Sequence, residues 1–334
     1  MSENLSFSRI ATFLKSPYVA RPTAADGEVA VIGVPFDEGT TARAGTREGP
    51  RALRAVSANW AYREGSEPYW DGEVGVSLLG GVRFVDTGDV ELAPMTPPEI
   101  GHDIIASRVA AVVTAGLFPL ILGGDHSITY PVLQGVVRAR AASAAPPPAE
   151  PPTAAPLAAV PGGGRALHLV HFDTHMDYWD EIGGQRFTHA SPIIRAHEAG
   201  LVCGITQYGI RGLHTLADNI ESARERGVVS FWCEQAKREP VDRLVAHLEP
   251  GADTWITFDI DCLDPAIAPG TGTPEPGGFT YYEAKALLLA VAARANVVGM
   301  DLVEVNPLYD PGELAALHGA RLALDLVGAA MRSR

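Results

Sequence analysis

Residues 166–177 read ALHLVHFDTHMD, and this stretch decides the fold class. Its first part is an apolar run that predicts a buried strand over 166–172, and the run stops at polar side chains. Asp173, His175 and Asp177 are spaced by two, so an extended backbone places all three on one face. Polar groups directly after a buried strand are typical of an open α/β sheet, in which ligands bind beyond the carboxyl ends of the strands.

The same arrangement recurs along the chain. Short apolar, β-branched runs predict strands, and amphipathic stretches between most of them predict helices. This alternation predicts a parallel sheet covered on both faces, in a single domain over residues 1–334. The predicted strands are 29–34, 82–86, 118–122, 166–172, 205–210, 228–232, 254–259 and 297–302. The predicted helices are 49–57, 98–115, 128–140, 241–248, 281–293 and 313–331.

Residues 141–164 depart from this alternation because they are rich in proline, alanine and glycine. Such a composition does not sustain a strand or a regular helix, so we interpret the segment as a surface insertion. We expect that deleting residues 141–161 leaves folding and metal content nearly unchanged. A large fall in the Tm of the shortened protein would contradict this interpretation.

Composition limits the partners of the chain. Lys and Arg total 26 and Asp and Glu total 40, so the formal net charge is −14. A chain this acidic is unsuited to nucleic acid or anionic membranes and is compatible with a small cationic substrate. Three cysteines without a CxxC pair indicate a reducing compartment. Because the N-terminal residues contain no long apolar run, we expect a cytoplasmic protein.

Polar groups also follow three other predicted strands. His126 lies in Gly123–Ser127 (GGDHS) after strand 118–122, Asp259 and Asp261 end strand 254–259, and Glu304 follows strand 297–302. Carboxylates gathered at one edge of a sheet repel one another unless a cation is present. Four carboxylates and two imidazoles have the capacity to hold two divalent ions. The absence of cysteine from the pattern favours Mn²⁺ over structural zinc, although the residues alone leave the metal open.

These motifs resemble those of the arginase/agmatinase (ureohydrolase) superfamily, closest to its agmatinase branch. The resemblance covers the chain from about Val29 to the last predicted helix. It rests on GGDHS (123–127), HFDTHMD (171–177), TFDIDCLDPAIAPGTGTPEPGG (257–278) and DLVEVNPLYD (301–310). It implies a three-layer α/β/α arginase-like fold with an eight-stranded parallel sheet, two Mn²⁺ ions with other divalent ions such as Ni²⁺ left open, and a homo-oligomer, either a trimer or a hexamer.

The resemblance also implies the ligands of each ion. Two carboxylates, Asp173 and Asp259, bridge the two ions together with a solvent hydroxide. The first ion is held by His126, Asp173, Asp177 and Asp259, and the second by Asp173, His175, Asp259 and Asp261. Two such ions lower the pKa of a shared water, so that hydroxide is present at neutral pH to attack a guanidinium carbon.

Three residues have catalytic roles by the same resemblance. Asp261 passes a proton towards the leaving nitrogen. Glu304 pairs with the guanidinium through charge-assisted hydrogen bonds. His189 shuttles protons near the metal site, a task that suits the ordinary pKa of histidine.

The substrate is the least constrained part of the prediction. Arginases carry a polar serine–glycine–asparagine stretch after the DxHxD motif, whereas residues 178–187 here read YWDEIGGQRF. Free arginine is therefore disfavoured, and we expect hydrolysis of agmatine to putrescine, a step of polyamine biosynthesis. The second positive charge of agmatine would suit Asp180 and Glu181.

Departures from the agmatinase pattern keep other guanidino compounds open. Ala190-Ser191-Pro192-Ile193 stands where the family usually has glycine followed by TPF, and Tyr178 and Trp179 place aromatics near the predicted site. Guanidinobutyrate, guanidinopropionate and free guanidine therefore remain alternatives. From other classes, a deacetylase-like amide hydrolase and a non-catalytic metal-binding protein remain, and release of urea from any guanidino compound would exclude both.

Overall fold

The computed structural model describes residues 11–61, 69–93, 96–144 and 167–333. Within these ranges the central element is a parallel sheet of eight strands. These are β1 (Val29–Gly33), β4 (Phe84–Asp89), β5 (Phe118–Leu122), β6 (His168–Phe172), β7 (Gly204–Ile210), β8 (Val229–Trp232), β9 (Asp253–Asp259) and β10 (Asn296–Val303). Two short strands, β2 (Trp70–Asp71) and β3 (Val76–Ser77), form a separate antiparallel ribbon. All eight predicted strands are present.

Helices connect the strands and cover the sheet. They are α1 (Gly49–Ser57), α2 (Pro98–Thr114), α3 (Thr129–Ala144), α4 (Pro192–Glu198), α5 (Ala217–Glu225), α6 (Cys233–Arg238), α7 (Val241–Val245), α8 (Tyr281–Arg294) and α9 (Leu314–Arg332). The six predicted helices are present, and α4, α5 and α6 are additional. Helix α5 buries one residue, Ala223, so its sequence carries only a weak apolar pattern and did not predict a helix.

The sheet is buried on both faces, as its apolar strands predicted. Every residue of β5 is buried. One face packs against α1, α8 and α9, and the other against α2, α3 and α4. The segment Pro311–Arg332 has the length and hydropathy of a membrane span, but 67% of that window is buried within the protein, as in the core helix of a globular fold. The predicted three-layer α/β/α architecture with an eight-stranded parallel sheet is confirmed.

The order of the strands brings the predicted site residues together. The order is β4-β1-β5-β10-β9-β6-β7-β8, so β5, β10, β9 and β6 are direct neighbours. Their ends are level, because Leu302 of β10 pairs with Leu122 of β5 and Val303 pairs with Asp259 of β9. The polar groups that follow these four strands therefore meet at one edge at the centre of the sheet.

The predicted insertion starts later than expected. Helix α3 continues through Ala144, so residues 141–144 belong to a regular helix, because alanine is the strongest helix former. The remainder of the predicted insertion, residues 145–164, lies outside the described residues. A deletion that tests the insertion should therefore begin after residue 144.

Candidate metal centre

The carboxylates at the sheet edge are aimed by local hydrogen bonds. Oδ1 of Asp173 accepts from the amide of His175 at 2.5 Å, and Oδ1 of Asp259 accepts from the amide of Asp261 at 2.8 Å. These are Asx turns, in which a side chain satisfies the amide two residues further along the chain. Each turn occupies one carboxylate oxygen and leaves Oδ2 directed inward. Asp177 is placed by a left-handed backbone with φ 50°, which is uncommon outside glycine, asparagine and aspartate.

The first donor set surrounds one nitrogen. Nδ1 of His126 lies 3.0 Å from Oδ2 of Asp173, 3.0 Å from Oδ2 of Asp177 and 3.0 Å from Oδ2 of Asp259. None of these contacts has the angles of a hydrogen bond, so within the described ranges this buried nitrogen has no hydrogen-bond partner. A nitrogen and three oxygens that face a common point are suited to a cation at that point.

The composition of this donor set limits the kind of ion that would suit it. One imidazole nitrogen and three carboxylate oxygens, with no cysteine, are typical ligands of hard divalent ions such as Mn²⁺ and Mg²⁺ rather than of structural zinc.

A buried hydrogen-bond chain sets the tautomer of His126. Nε2 of His126 lies 2.9 Å from Oγ1 of Thr257, whose hydroxyl donates to Oδ1 of Asp301 at 2.5 Å. Asp301 also accepts from Thr129 and from the indole of Trp255. Because the hydroxyl of Thr257 is committed as a donor to Asp301, it accepts from Nε2–H of His126. The lone pair of the ring is therefore on Nδ1, the atom that faces the carboxylates.

We expect Asp301→Asn to weaken Mn²⁺ binding by roughly 10- to 100-fold, as is usual when a partner of a metal-ligating histidine is changed. The side-chain NH₂ of the asparagine would face either the hydroxyl of Thr257 or the indole of Trp255, and both of these groups already donate to this position. Titration calorimetry on the purified variant measures the change. The control is Trp255→Phe, which removes the donor to Oδ2 together with part of a buried ring, and the folded variant should bind Mn²⁺ less weakly than Asp301→Asn does. Unchanged affinity in a folded Asp301→Asn protein would show that Thr257 alone orients His126.

A second donor set lies beside the first. Nδ1 of His175 is 3.2 Å from Oδ2 of Asp261 and 3.5 Å from Oδ1 of Asp173. The connection after β7 packs directly on this ring, because a Cβ added at Gly212 would lie 2.8 Å from Cδ2 of His175. Asp173 thus contributes one oxygen to each set, as a bridging ligand would.

The electrostatics of the cluster also favour cations. Burial and the negative charges of Asp261 and Asp173 raise the pKa of Asp259. Burial and the charge of Asp173 raise the pKa of Asp261 as well. Buried carboxylates this close together resist joint ionisation, and divalent cations remove that repulsion. The six residues predicted as ligands, His126, Asp173, His175, Asp177, Asp259 and Asp261, are all in this cluster and their chemistry fits two divalent ions.

The sequence analysis overlooked His171. Its Nε2 lies 2.7 Å from Oδ2 of Asp173, and its Nδ1 lies 3.0 Å from the amide nitrogen of Gln207. That amide also donates to the carbonyl of Met176 and its oxygen accepts from Ser230, which fixes its orientation. Nδ1 of His171 is therefore an acceptor, and Nε2–H donates to Asp173, so His171 orients a ligand. Its spacing of two from Asp173 in the predicted strand was the available signal.

Glu304 and His189 lie beside the cluster and contact each other. Oε1 of Glu304 is 3.1 Å from Nδ1 of His189 and accepts from the amide of His126 at 2.9 Å. Nε2 of His189 lies 2.7 Å from the hydroxyl of Thr41. Glu304 is 1% exposed, has φ 62°, and its Oε2 has no hydrogen-bond partner among the residues that the structure describes. A buried carboxylate oxygen without a partner is suited to a donor that arrives with the substrate.

A cavity of about 280 Å³ lies against the metal centre. His126, Asp177 and His189 line it, together with the apolar side chains of Trp179 and Ile182. The structure corrects the suggestion that Asp180 and Glu181 receive a second positive charge, since neither lines the cavity. Asp180 instead accepts from two guanidinium groups, that of Arg186 in the same loop and that of Arg195 in α4.

Tyr178 has a packing role rather than one in ligand stacking. Its ring is 1% exposed and its hydroxyl lies 2.7 Å from Nδ1 of His197. Of the two aromatics that follow Asp177, Trp179 is the one that lines the cavity. The alternation of directions along an extended segment explains why neighbouring aromatics have different environments.

Comparison with known proteins gives a consistent result over nearly the whole chain. The model of the Arginase family matches residues 27–328. An agmatinase of Photorhabdus laumondii is 35% identical over 94% of this chain and 91% of its own length. A guanidinopropionase of Pseudomonas aeruginosa is 34% identical over 96% of this chain and 92% of its own length. The solved structure of proclavaminate amidino hydrolase from Streptomyces clavuligerus superposes with a TM-score of 0.80 at 29% identity, covering 99% of this chain and 100% of that one.

Proposed function

The chain belongs to the arginase family, and on that premise we propose that it hydrolyses a guanidino compound to urea and an amine with a pair of divalent cations, Mn²⁺ first among them. Because the chain belongs to this family, it is an enzyme that acts on guanidino compounds. Membership in the family leaves no support for the deacetylase-like or the non-catalytic alternative. The metal, the roles of single residues and the substrate are the finer parts of the proposal.

One observation carries the proposal: Oε2 of Glu304 is buried beside the metal centre with no partner in the described part of the chain. Its other oxygen is already used by His189 and the amide of His126. A guanidinium presents N–H groups in a plane, and one of them would satisfy Oε2 through a charge-assisted hydrogen bond. Such a bond would place the guanidinium carbon in front of the donor cluster.

The ligand set supports a bound pair of cations, whose chemistry would be to activate water for attack on the guanidinium carbon. The residues of the chain determine what surrounds that attack. His126 is held by Thr257, and Asp173 by His171, so both donors are preorganised. Burial of the cluster excludes bulk water and strengthens each electrostatic contact.

Proton transfer belongs to two side chains in this proposal. Asp261 belongs to the second donor set, and the hydroxyl of Thr273, a residue that lines the cavity, donates to its Oδ2 at 3.3 Å. That oxygen would hold the proton that passes to the leaving nitrogen. His189 lines the cavity and contacts Glu304 through Nδ1, so it would exchange protons between the site and Thr41 at the rim.

The pairing of His189 with Glu304 has a measurable consequence for stability. Burial opposes the charged ring, but the hydrogen bond and charge of Glu304 outweigh it and raise the pKa of His189 to about 9. The pKa of histidine in the unfolded chain is about 6.5. Below that pH the charged pair therefore contributes its full stabilisation of the folded state, and this contribution is lost as the pH rises through about 9. The contribution is roughly 3 kcal/mol.

We therefore expect the free energy of unfolding of chelator-treated protein to fall between pH 6.5 and pH 10 by more than that of His189→Asn. Urea denaturation at a series of pH values measures both. Equal pH dependence in the two proteins would show that the histidine is not charged in the folded state.

Substrate identity is not decided by similarity. The relatives named for agmatine and for guanidinopropionate differ by one percentage point in identity to this chain. Agmatine is the expectation from the sequence, yet its second charge would not meet Asp180 or Glu181 in the cavity. Free guanidine would leave most of the 280 Å³ volume unfilled, so it is disfavoured.

The experiment that tests the proposed function is urea release by Mn²⁺-loaded protein. The panel contains agmatine, arginine, 4-guanidinobutyrate, 3-guanidinopropionate and guanidine. We expect urea from at least one compound and none after chelation of the metal. A metal-loaded, folded protein that releases urea from none of them would contradict the proposal.

A further inference from the structure

The outer end of the cavity carries polar groups that the catalytic roles do not use. His214 and Thr215 line it from the connection between β7 and α5, and Asn219 lines it from the first turn of α5. This connection is anchored to the metal centre, because the amides of Arg211 and Gly212 both donate to the carbonyl of Thr174 at 2.9 Å. The polar end therefore has a set position relative to Glu304.

The cavity lining also includes apolar side chains. Met176, Trp179, Ile182 and Ala190 line the cavity beside the donor cluster. Side chains of this kind suit methylene groups rather than charged atoms. A substrate with a guanidinium at Glu304 and a short alkyl chain along these side chains would present its far end to His214, Thr215 and Asn219.

Within the described residues, the cavity lining near His214 offers no carboxylate to receive an ammonium group. The acidic residues that line the cavity are Asp177 and Asp259, which belong to the metal centre. Asp180 is paired with arginines, and Asp218 is exposed on α5 and does not line the cavity. An ammonium at this position would therefore gain no counter-charge from the described lining.

The same end favours an anion. The imidazole N–H, the hydroxyl and the amide NH₂ of the three residues are all donors that a carboxylate accepts.

We propose that the substrate is a guanidino carboxylic acid with a short alkyl chain, and that His214 and Asn219 bind its carboxylate. This inference rests on the proposed function and specifies the class of substrate. The net charge of −14 does not oppose it. The field of distant surface charges is screened within about 8–10 Å at physiological salt, so the groups in contact with the tail determine selectivity.

The first test compares two substrates of similar length with opposite tails. We expect kcat/KM of the wild-type protein for 4-guanidinobutyrate to exceed that for agmatine by at least about tenfold, because the described lining offers donors to a carboxylate and no counter-charge to an ammonium. A preference for agmatine, arginine or guanidine would overturn the inference while leaving the proposed function intact. Urea from no compound would instead overturn the proposed function.

Two variants test the residues. Asn219→Asp places a carboxylate at the tail and should shift the ratio of kcat/KM towards agmatine by at least about tenfold. His214→Ala should raise KM for the guanidino acid and leave kcat nearly unchanged, since the contact is remote from the reacting carbon. The matched control is Asp218→Asn, a change of one charge at the neighbouring exposed position, which should leave the ratio unchanged.

A readout independent of turnover completes the test. We expect butyrate to inhibit competitively and n-butylamine to inhibit at least about tenfold more weakly. The ratio of the two inhibition constants should be smaller in Asn219→Asp. Circular dichroism checks the fold of each variant. If both folded variants retain the wild-type ratio, KM and inhibition, these residues do not bind the tail and the inference is wrong.

Discussion

Glu304→Gln is expected to lower kcat/KM for the guanidino substrate by roughly 100-fold or more, about 3 kcal/mol, while leaving bound metal unchanged. The amide keeps the size of the side chain but removes the charge that faces the guanidinium. It also turns either an N–H₂ group or a weaker acceptor towards the position that Oε2 occupies, an atom with no partner among the described residues. Steady-state urea release and metal analysis on the same preparation measure both effects.

A suitable control exists in the chain. Glu313 has the same residue type and a similar left-handed backbone, with φ 57° against 62° for Glu304, but it is exposed and lies outside the cavity. Glu313→Gln should therefore leave both activity and metal content unchanged. If Glu304→Gln turned over at the wild-type rate, the assignment of the guanidinium site would be wrong.

Asp177→Asn is expected to lose both metal and activity. Oδ2 of Asp177 is one of the three oxygens 3.0 Å from Nδ1 of His126, and an amide nitrogen in its place would repel a cation. Asparagine tolerates the left-handed backbone at φ 50°, so the variant should fold. Changes to groups that only support ligands cost 10–100-fold in metal affinity, and we expect at least about 100-fold for a ligand itself.

Mn²⁺ titration of the folded variant checks this result, with Asp242→Asn at an exposed position of α7 as the control. Wild-type affinity in Asp177→Asn would remove Asp177 from the ligand set. Together with Glu304→Gln, this variant separates the two halves of the site, because one should lose metal and the other should keep it.

The error at Asp180 shows where local reasoning stops. Asp180 was assigned to a second positive charge because it follows the DxHxD motif closely in sequence. In the structure, its carboxylate accepts from Arg186 and Arg195, residues 6 and 15 positions further along the chain. Proximity in sequence does not indicate which way a side chain points from a loop, and a nearby arginine neutralises a carboxylate as effectively as a substrate does.

The overlooked residues have the same explanation. Thr257 and Asp301 look like ordinary strand residues, and each acts through a partner on another strand or loop. The pairing of Asp301 with Thr129 spans 172 positions of the chain. A hydrogen bond over such a separation has no local signal, so only the packed structure reveals it.

The amino-acid sequence by itself determined the strands, the parallel α/β class and the residues gathered at the strand ends. These depend on local features, namely apolar runs, spacing of two and the turns that follow a strand. The folded chain makes β5, β10, β9 and β6 neighbours and places three carboxylate oxygens 3.0 Å from one histidine nitrogen. It also lines the cavity, as far as the described residues show, with hydrogen-bond donors and with no carboxylate outside the metal centre. The physical reason is that strand order and side-chain direction depend on contacts between distant segments, which no short stretch of sequence contains.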